Sequence, residues 1–325
     1  MRLHPSNPWL RALLLAFVGL PGTARAQGGA TSDGALFLLL PVSARSVSMG
    51  QAVSASDLGG ESVWWNPAGL ASTSRVELLL HHSQSLIGTG DAFSVVVPSG
   101  LLGVFALSAS TVNFGEQEVG GGPGGGTGLL VPRSFVFAAT YATVLTSWLR
   151  AGLSYKLVQM RADCSGACQD FDSFSSSTSA LDFGLQWAPA DSSPLAVGVA
   201  IRNVGPKLQV IDTEQADALP TRLHLGLNYR VRGLERAVMD TRLHITAEVL
   251  DRLQISRPSF RAGTELRYRE RFFLRGGYIF EEGGGPSLGG GLIAGRVSID
   301  IARVLTGLSA DLGEPPMFIS LRYQF

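Results

Sequence analysis

From Arg75 onward the chain alternates apolar and polar residues in segments of about ten, with very little helical periodicity. In Thr221 to Arg230, Leu223, Leu225, Leu227 and Tyr229 share one face, and Arg222, His224, Gly226, Asn228 and Arg230 share the other. Thr241 to Leu250 sets Leu243, Ile245, Ala247 and Val249 against Arg242, His244, Thr246 and Glu248. Ser179 to Ala188 sets Leu181, Phe183, Leu185 and Trp187 against Asp182, Gly184 and Gln186. Trp148 to Met160 alternates Leu149, Ala151, Leu153, Tyr155 and Leu157 with Arg150, Gly152, Ser154 and Lys156. Fourteen such segments can be placed, beginning near Val76, Ala92, Gly103, Ser134, Leu149, Ser179, Leu195, Thr221, Arg242, Phe260, Phe272, Pro286, Val297 and Met317.

The charges keep to a single face. A slip of one residue would turn Arg222, His224 and Arg230 outward, and in lipid each arginine costs ~2–4 kcal/mol at the midplane. A soluble β-sandwich also alternates, but it leaves the high glycine content and the even strand count unexplained. Short connections at 98–100, 146–147, 189–194, 269–271 and 295–296 alternate with longer ones at 115–132, 161–178, 203–219, 251–259 and 306–315. Transmembrane barrels have this asymmetry, with short periplasmic turns and long outer loops. Val231 to Asp240 is the exception, a longer connection on the short side. Trp148, Trp187, Tyr229, Tyr268 and Tyr323 all fall at short-turn ends, as one aromatic girdle. The last strand, Met317 to Phe325, alternates and ends in Tyr323 and Phe325, resembling the C-terminal signal that barrel-assembly machinery reads.

Composition supports the same reading. Charged residues are 16% of the chain, glycines number 40, formal net charge is zero and mean hydropathy is +0.21. Disordered chains and nucleic-acid binders are disfavoured, because neither excess charge nor a basic surplus is present. Arg2 and Arg11, the apolar run around Leu10 to Leu20 and Ala24-Arg25-Ala26 predict a secretory signal peptide over 1–26, cleaved after Ala26. Gln27 and not a cysteine stands directly after that site, so a lipoprotein is not expected, and no later stretch approaches the roughly 20 apolar residues of a spanning helix. An exported chain of this composition is left with the closed barrel as its way of spanning a membrane. The expected fold is therefore all-β, a transmembrane antiparallel β-barrel of about 14 strands over 75–325, in the outer membrane of a Gram-negative envelope.

Residues 27–74 precede the first strand and do not alternate. They contain Phe37-Leu-Leu-Leu-Pro41, Ala44-Arg45, Met49-Gly50-Gln51-Ala52, Asp57 and Trp64-Trp65-Asn66-Pro67-Ala68-Gly69-Leu70-Ala71. This ordered block resembles the PorV/PorQ family, within the FadL-like outer-membrane superfamily. The resemblance covers Phe37 to Ala71, and it implies a fourteen-stranded barrel whose N-terminal segment folds inward as a plug. Arg45, Met49, Gly50, Asp57, Trp65, Asn66, Pro67, Ala68 and Gly69 would carry that plug. The family often has two adjacent acids where this chain has Asp57-Leu58. Asn66-Pro67 reads as a turn on its own chemistry, since Asn bonds back to the backbone and Pro fixes φ. A barrel of this size leaks unless its bore is filled.

Other constellations are weaker. Cys164 and Cys168 form the only cysteine pair, and an oxidising compartment predicts a local disulfide. A zinc site would need further ligands and a redox motif is one residue tighter. The glycine-rich run 120–128 lacks the Lys-Ser/Thr of a phosphate loop and reads as a flexible outer loop. His81 and His82 point to opposite faces of a strand, a poor metal pair. His224 and His244 face inward on neighbouring strands, expected about three residues out of register, with no third catalytic group. They are expected to join Arg222, Glu248, Glu265, Arg267 and Asp300 in a polar network lining the bore. No catalytic residues, cofactor or metal are expected.

Two roles follow from the resemblance. One is passage of hydrophobic or amphipathic small molecules, which meet the plug and leave sideways into the bilayer. The other is handling of secreted protein cargo, as the PorV-like branch does in type IX secretion. A structural barrel with partner-binding loops is the blander third. The expected partners are outer-membrane lipid, barrel-assembly machinery, and a hydrophobic ligand or secreted cargo, with no nucleic acid.

Overall fold

In a computed structural model of the chain, the described residues are 33–120, 127–166, 168, 173–187, 189, 193–209, 216–252, 258–306 and 315–325. The expected signal peptide over 1–26, residues 27–32 and the centres of several long connections, including 121–126, lie outside them.

The described residues form strands β1 (Glu77–Ser85), β2 (Gly88–Pro98), β3 (Val104–Asn113), β4 (Gln117–Gly120) and β5 (Thr127–Thr146). There follow β6 (Leu149–Gly166), β7 (Phe174–Trp187), β8 (Leu195–Val204), β9 (Arg222–Arg230) and β10 (Thr241–Asp251). The last five are β11 (Ser259–Tyr268), β12 (Phe272–Phe280), β13 (Pro286–Ala294), β14 (Val297–Val304) and β15 (Met317–Gln324). Each strand of the ring pairs antiparallel with its neighbours, β15 with β1 and β3 with β5, so fourteen strands close a barrel. β4 pairs with β5 alone, extending the wall beyond the ring as a hairpin.

The facing follows the alternation. Leu225, Leu227 and Tyr229 of β9 are exposed on the outer wall, whereas His224 and Gly226 are buried inside. Leu153, Tyr155 and Leu157 point out of β6, with Ser154 and Lys156 buried behind them. Such a face needs apolar solvent. Leu227→Arg, near mid-strand, is therefore expected to lower the stability of the folded barrel in liposomes by ~2–4 kcal/mol. Gly226→Arg on the inner face fails for a different reason, since Ser54 Oγ and Glu248 occupy that space. Urea titration of Leu227→Arg with a midpoint equal to wild type would refute the assignment of faces.

The strands differ from the sequence expectation at the long-loop end. Residues 115–132 and 161–178 were expected to be loops, yet β4 forms and β5, β6 and β7 run far beyond the apolar band. Ser175, Ser176 and Ser177 pair with Arg161, Met160 and Gln159 in that region. Above the membrane neither face is penalised for polarity, so pairing continues without the period that reveals it. The connection from β9 to β10 is a short helix, α1 (Arg232–Ala237).

Candidate functional site

Residues 33–76 fold inside the ring. Its elements are a 3-10 turn (Leu36–Leu39), a short α-helix (Ala44–Ser48) and two further 3-10 turns (Gly59–Trp64 and Pro67–Ser72). Ser43 caps the α-helix by accepting from Ser46 N at 3.2 Å. Asn66 Oδ1 accepts from Ala68 N at 3.1 Å, and Pro67 follows at the first helical position, where no N–H is required.

Bonds from this inner segment reach strands all around the wall. Ala44 N donates to Ser320 on β15 at 2.9 Å, Ser54 N to Glu248 on β10 at 2.9 Å, and Gly60 N to Glu77 on β1 at 2.8 Å. Asn66 Nδ2 donates to the Ser54 carbonyl at 2.7 Å and to Leu185 on β7 at 3.1 Å. Gly50, with φ +59, donates to Ser287 on β13 at 3.3 Å. Ala44, Gly50, Ser54 and Gly60 thus offer buried backbone N–H groups that lumen side chains satisfy, and the Asn66 amide works in the opposite sense, meeting backbone carbonyls.

A belt of glycines makes the approach possible. Gly152 and Gly184 are cross-strand partners, as are Gly198 with Gly226 and Gly263 with Gly277. A Cβ at Gly152 would meet the backbone of Pro67 and Ala68, at Gly184 Asn66, at Gly198 Ser54, and at Gly277 Met49 and Gly50. The inner segment thus lies with its backbone directly against β6, β7, β8, β11 and β12 at these glycines, with no side-chain layer between. Met49 itself is fully buried, and Gly69 packs on Ser62.

The polar residues expected to form one network are distributed over several clusters. Arg222 pairs with Asp33 of the inner segment at 2.7 Å. His224 bonds Glu248 at 2.7 Å, and His244 bonds Asn228 at 3.1 Å. The two histidines are farther apart than expected: His224 is opposite Leu250 and His244 opposite Arg230. The length of α1's connection sets this register, which strand alternation alone leaves open. Glu265 receives three guanidiniums, Arg267 at 2.6 Å, Arg275 at 2.6 Å and Arg45 at 3.0 Å, and Arg275 also reaches Asp300 at 2.6 Å. Burial opposes the Arg45 charge, but Glu265, Glu61 and Asp300 outweigh it and raise its pKa. Burial pushes the Glu61 carboxyl above the ordinary carboxylate range. Asp57 pairs through its carboxylate with Arg150, and its carbonyl accepts from Arg45 at 3.0 Å. Its neighbour Leu58 is buried, and the Leu58 carbonyl accepts from Arg322 at 3.4 Å. Cys164 and Cys168 are joined by a disulfide at the outer end of β6.

One cluster escaped the sequence reading. Lys156 pairs with Asp182 and donates to Asn203 at 3.1 Å, and Arg202 lies over the Trp65 ring at 5.6 Å. The register shifts between β7 and β8 here, and Asn203, at φ +60, is buried beside Arg202. A bulge puts two successive side chains inside. Asn at this position was the one available signal, since Asn tolerates the left-handed region.

Between the inner segment and β1 to β3 lies a cavity of about 80 Å³. Phe37, Leu38, Trp64, Trp65, Val136 and Phe318 give it an apolar wall, and Lys156 and Arg202 close one side. Trp64 Nε1 and His81 Nε2 have no hydrogen-bond partner among the described residues. Outside the same strands is an apolar groove of about 510 Å³ bordered by Leu80, Phe93, Phe137, Ile319 and Leu321. His81, Asp91, Ala92, Ser110 and Thr111 border both spaces.

No protein-family model matches the chain, and no curated protein is similar to it at a significant level. Solved structures are. The toluene transporter TbuX of Ralstonia pickettii superposes with a TM-score of 0.51 at 15% identity, covering 86% of this chain and 97% of that one. The monoaromatic hydrocarbon channel CymD gives 0.55 at 13% identity, over 90% of this chain and 99% of its own. The Pseudomonas putida toluene transporter TodX gives 0.54 at 13%, over 85% and 95%. The fold is that of an outer-membrane β-barrel of the kind these hydrocarbon channels have.

Proposed function

We propose that the protein is a plugged outer-membrane channel that passes hydrophobic small molecules from the cell surface sideways into the membrane, with 33–74 as its plug. The observation that carries this is the paired placement of inner cavity and outer groove on the same strip of wall. A ligand held against Trp64 and Phe37 is separated from the lipid-facing groove by the small side chains of Ala92 and Ser110. An apolar cavity needs about 150 Å³ to take a benzene ring, so the present space must widen. The Leu36–Leu39 turn is the part free to yield, because the glycine belt clamps the segment farther along. The fold shared with toluene channels supports the reading, and the resemblance of Phe37 to Ala71 to the PorV/PorQ family supports that branch of the FadL-like superfamily as its home.

Toluene uptake by cells that lack a hydrocarbon channel of their own tests it. The wild-type protein should accelerate uptake, and Val136→Trp, which fills the cavity, should abolish the gain while the unboiled protein keeps its folded gel mobility. Unchanged uptake by Val136→Trp would remove this cavity from the path. No acceleration by the wild type would favour cargo handling over transport.

A further inference from the structure

A second space opens at the opposite, short-turn end of the bore, a vestibule of about 320 Å³. Its wall carries Arg45, Arg242, Arg267, Arg275 and Arg322, with Asp57 and Glu270. Glu265, Glu270 and Asp300 form ion pairs with arginines of this wall, and the buried Glu61 carboxyl acts on Arg45 and Arg322. Glu265 is shared three ways, and Asp57 is drawn to Arg150 instead. The hydrogen bonds of Arg322 are long, to the Leu58 carbonyl at 3.4 Å and Ser298 at 3.5 Å. Arg45, Arg275, Glu265 and Asp300 are buried as a charge-balanced set, and Arg242, Arg267 and Arg322 line the open part of the vestibule beside Glu270.

We propose that this vestibule is an anion site, which takes the carboxylate or phosphate group of a small solute from the periplasm. Guanidinium forks suit both groups, because each presents two oxygens to two parallel N–H donors. Arg322 supplies an underused fork and Arg242 stands half-exposed at the rim, 3.1 Å from Glu270. The space exceeds what one phosphate fills, leaving room for a small organic body beside Phe273 and Ile293. The site is separate from the apolar cavity, and its occupancy would fix the plug through Arg45 rather than move ligand.

Isothermal titration of the detergent-solubilised full-length mature protein with inorganic phosphate, citrate and benzoate tests the assignment, with sodium chloride at matched ionic strength as control. At least one of the three anions should bind saturably and raise the temperature at which the unboiled gel band is lost, and chloride should do neither. The anion that binds most tightly identifies the group. Arg322→Gln should weaken binding at least tenfold. Arg242→Gln, at the exposed rim, should weaken it by a smaller factor, and it carries the test if Arg322→Gln loses the folded band. Equal effects of chloride, no saturable binding, or unchanged affinity in whichever of these variants folds would overturn the proposal.

Discussion

Gly277→Ala is expected to open the pore, whereas Gly276→Ala, one residue away, leaves the protein as it was. A Cβ at Gly277 would occupy the space of the Met49 and Gly50 backbone, but at Gly276 it would meet only Leu288, Thr264 and Ser287 at ordinary contact distances. Overpacking of a close-packed site costs ~1–3 kcal/mol and more when no flexible side chain can give way. At Gly277 the obstacle is backbone, itself tied to Ser287 through Gly50 N. The inner segment must therefore lift from β12. Small-solute permeability across liposomes should rise for Gly277→Ala and stay at the wild-type level for Gly276→Ala. Equal leak in the pair would mean that the belt does not hold the segment, and that the outer loops close the bore.

Glu265→Gln should be the most destabilising single change to the lumen. The carboxylate is 1% exposed and takes Arg45, Arg267 and Arg275 together. Removing one partner of a buried ion pair costs ~3–5 kcal/mol, because the remaining charge is left without compensation. Here three guanidiniums are affected at once, and Asp300 and Glu270 can recover only Arg275 and part of Arg267. The unfolding midpoint of the reconstituted barrel should fall accordingly. Asp57→Asn, whose carboxylate is largely exposed, should have a small effect by comparison. A Glu265→Gln barrel as stable as Asp57→Asn would show that water or solute anions already carry this cluster.

The parts that were legible in the sequence are those where the membrane imposes a cost. β9, β10 and the apolar parts of β6 and β7 can be read residue by residue, because a lipid-facing charge is penalised and a lumen-facing one is not. Above the band that penalty ends, so β4 and the outer halves of β5 to β7 left no period to read. The inner segment was legible as a block of motif residues but not as a shape. Its conformation is set by a curved wall contributed by ten or more strands, and its local propensities are weak: only Ser43 and Asn66 are caps with a chemical signature. Gly152, Gly184 and Gly226 did stand on polar faces of their strands. Their meaning depended on what lay opposite, which alternation does not state. The same holds for Arg202 and Asn203, whose bulge shifts one side chain inward without any apolar residue to mark it.

The barrel seam has a consequence for how the molecule is built. β1 and β15 join along Glu77–Gln84 and Met317–Gln324, and the inner segment runs directly into β1. Backbone contacts as close as those at Gly152, Gly198 and Gly277 leave no slack for threading Trp64, Trp65 and a helix into a finished cylinder. On this geometry the segment is expected to settle while the sheet is still an open trough, before the first and last strands join. Closure of the seam is in this sense a checkpoint: a chain whose N-terminal residues have not docked presents β15 with a first strand still tethered in the wrong place.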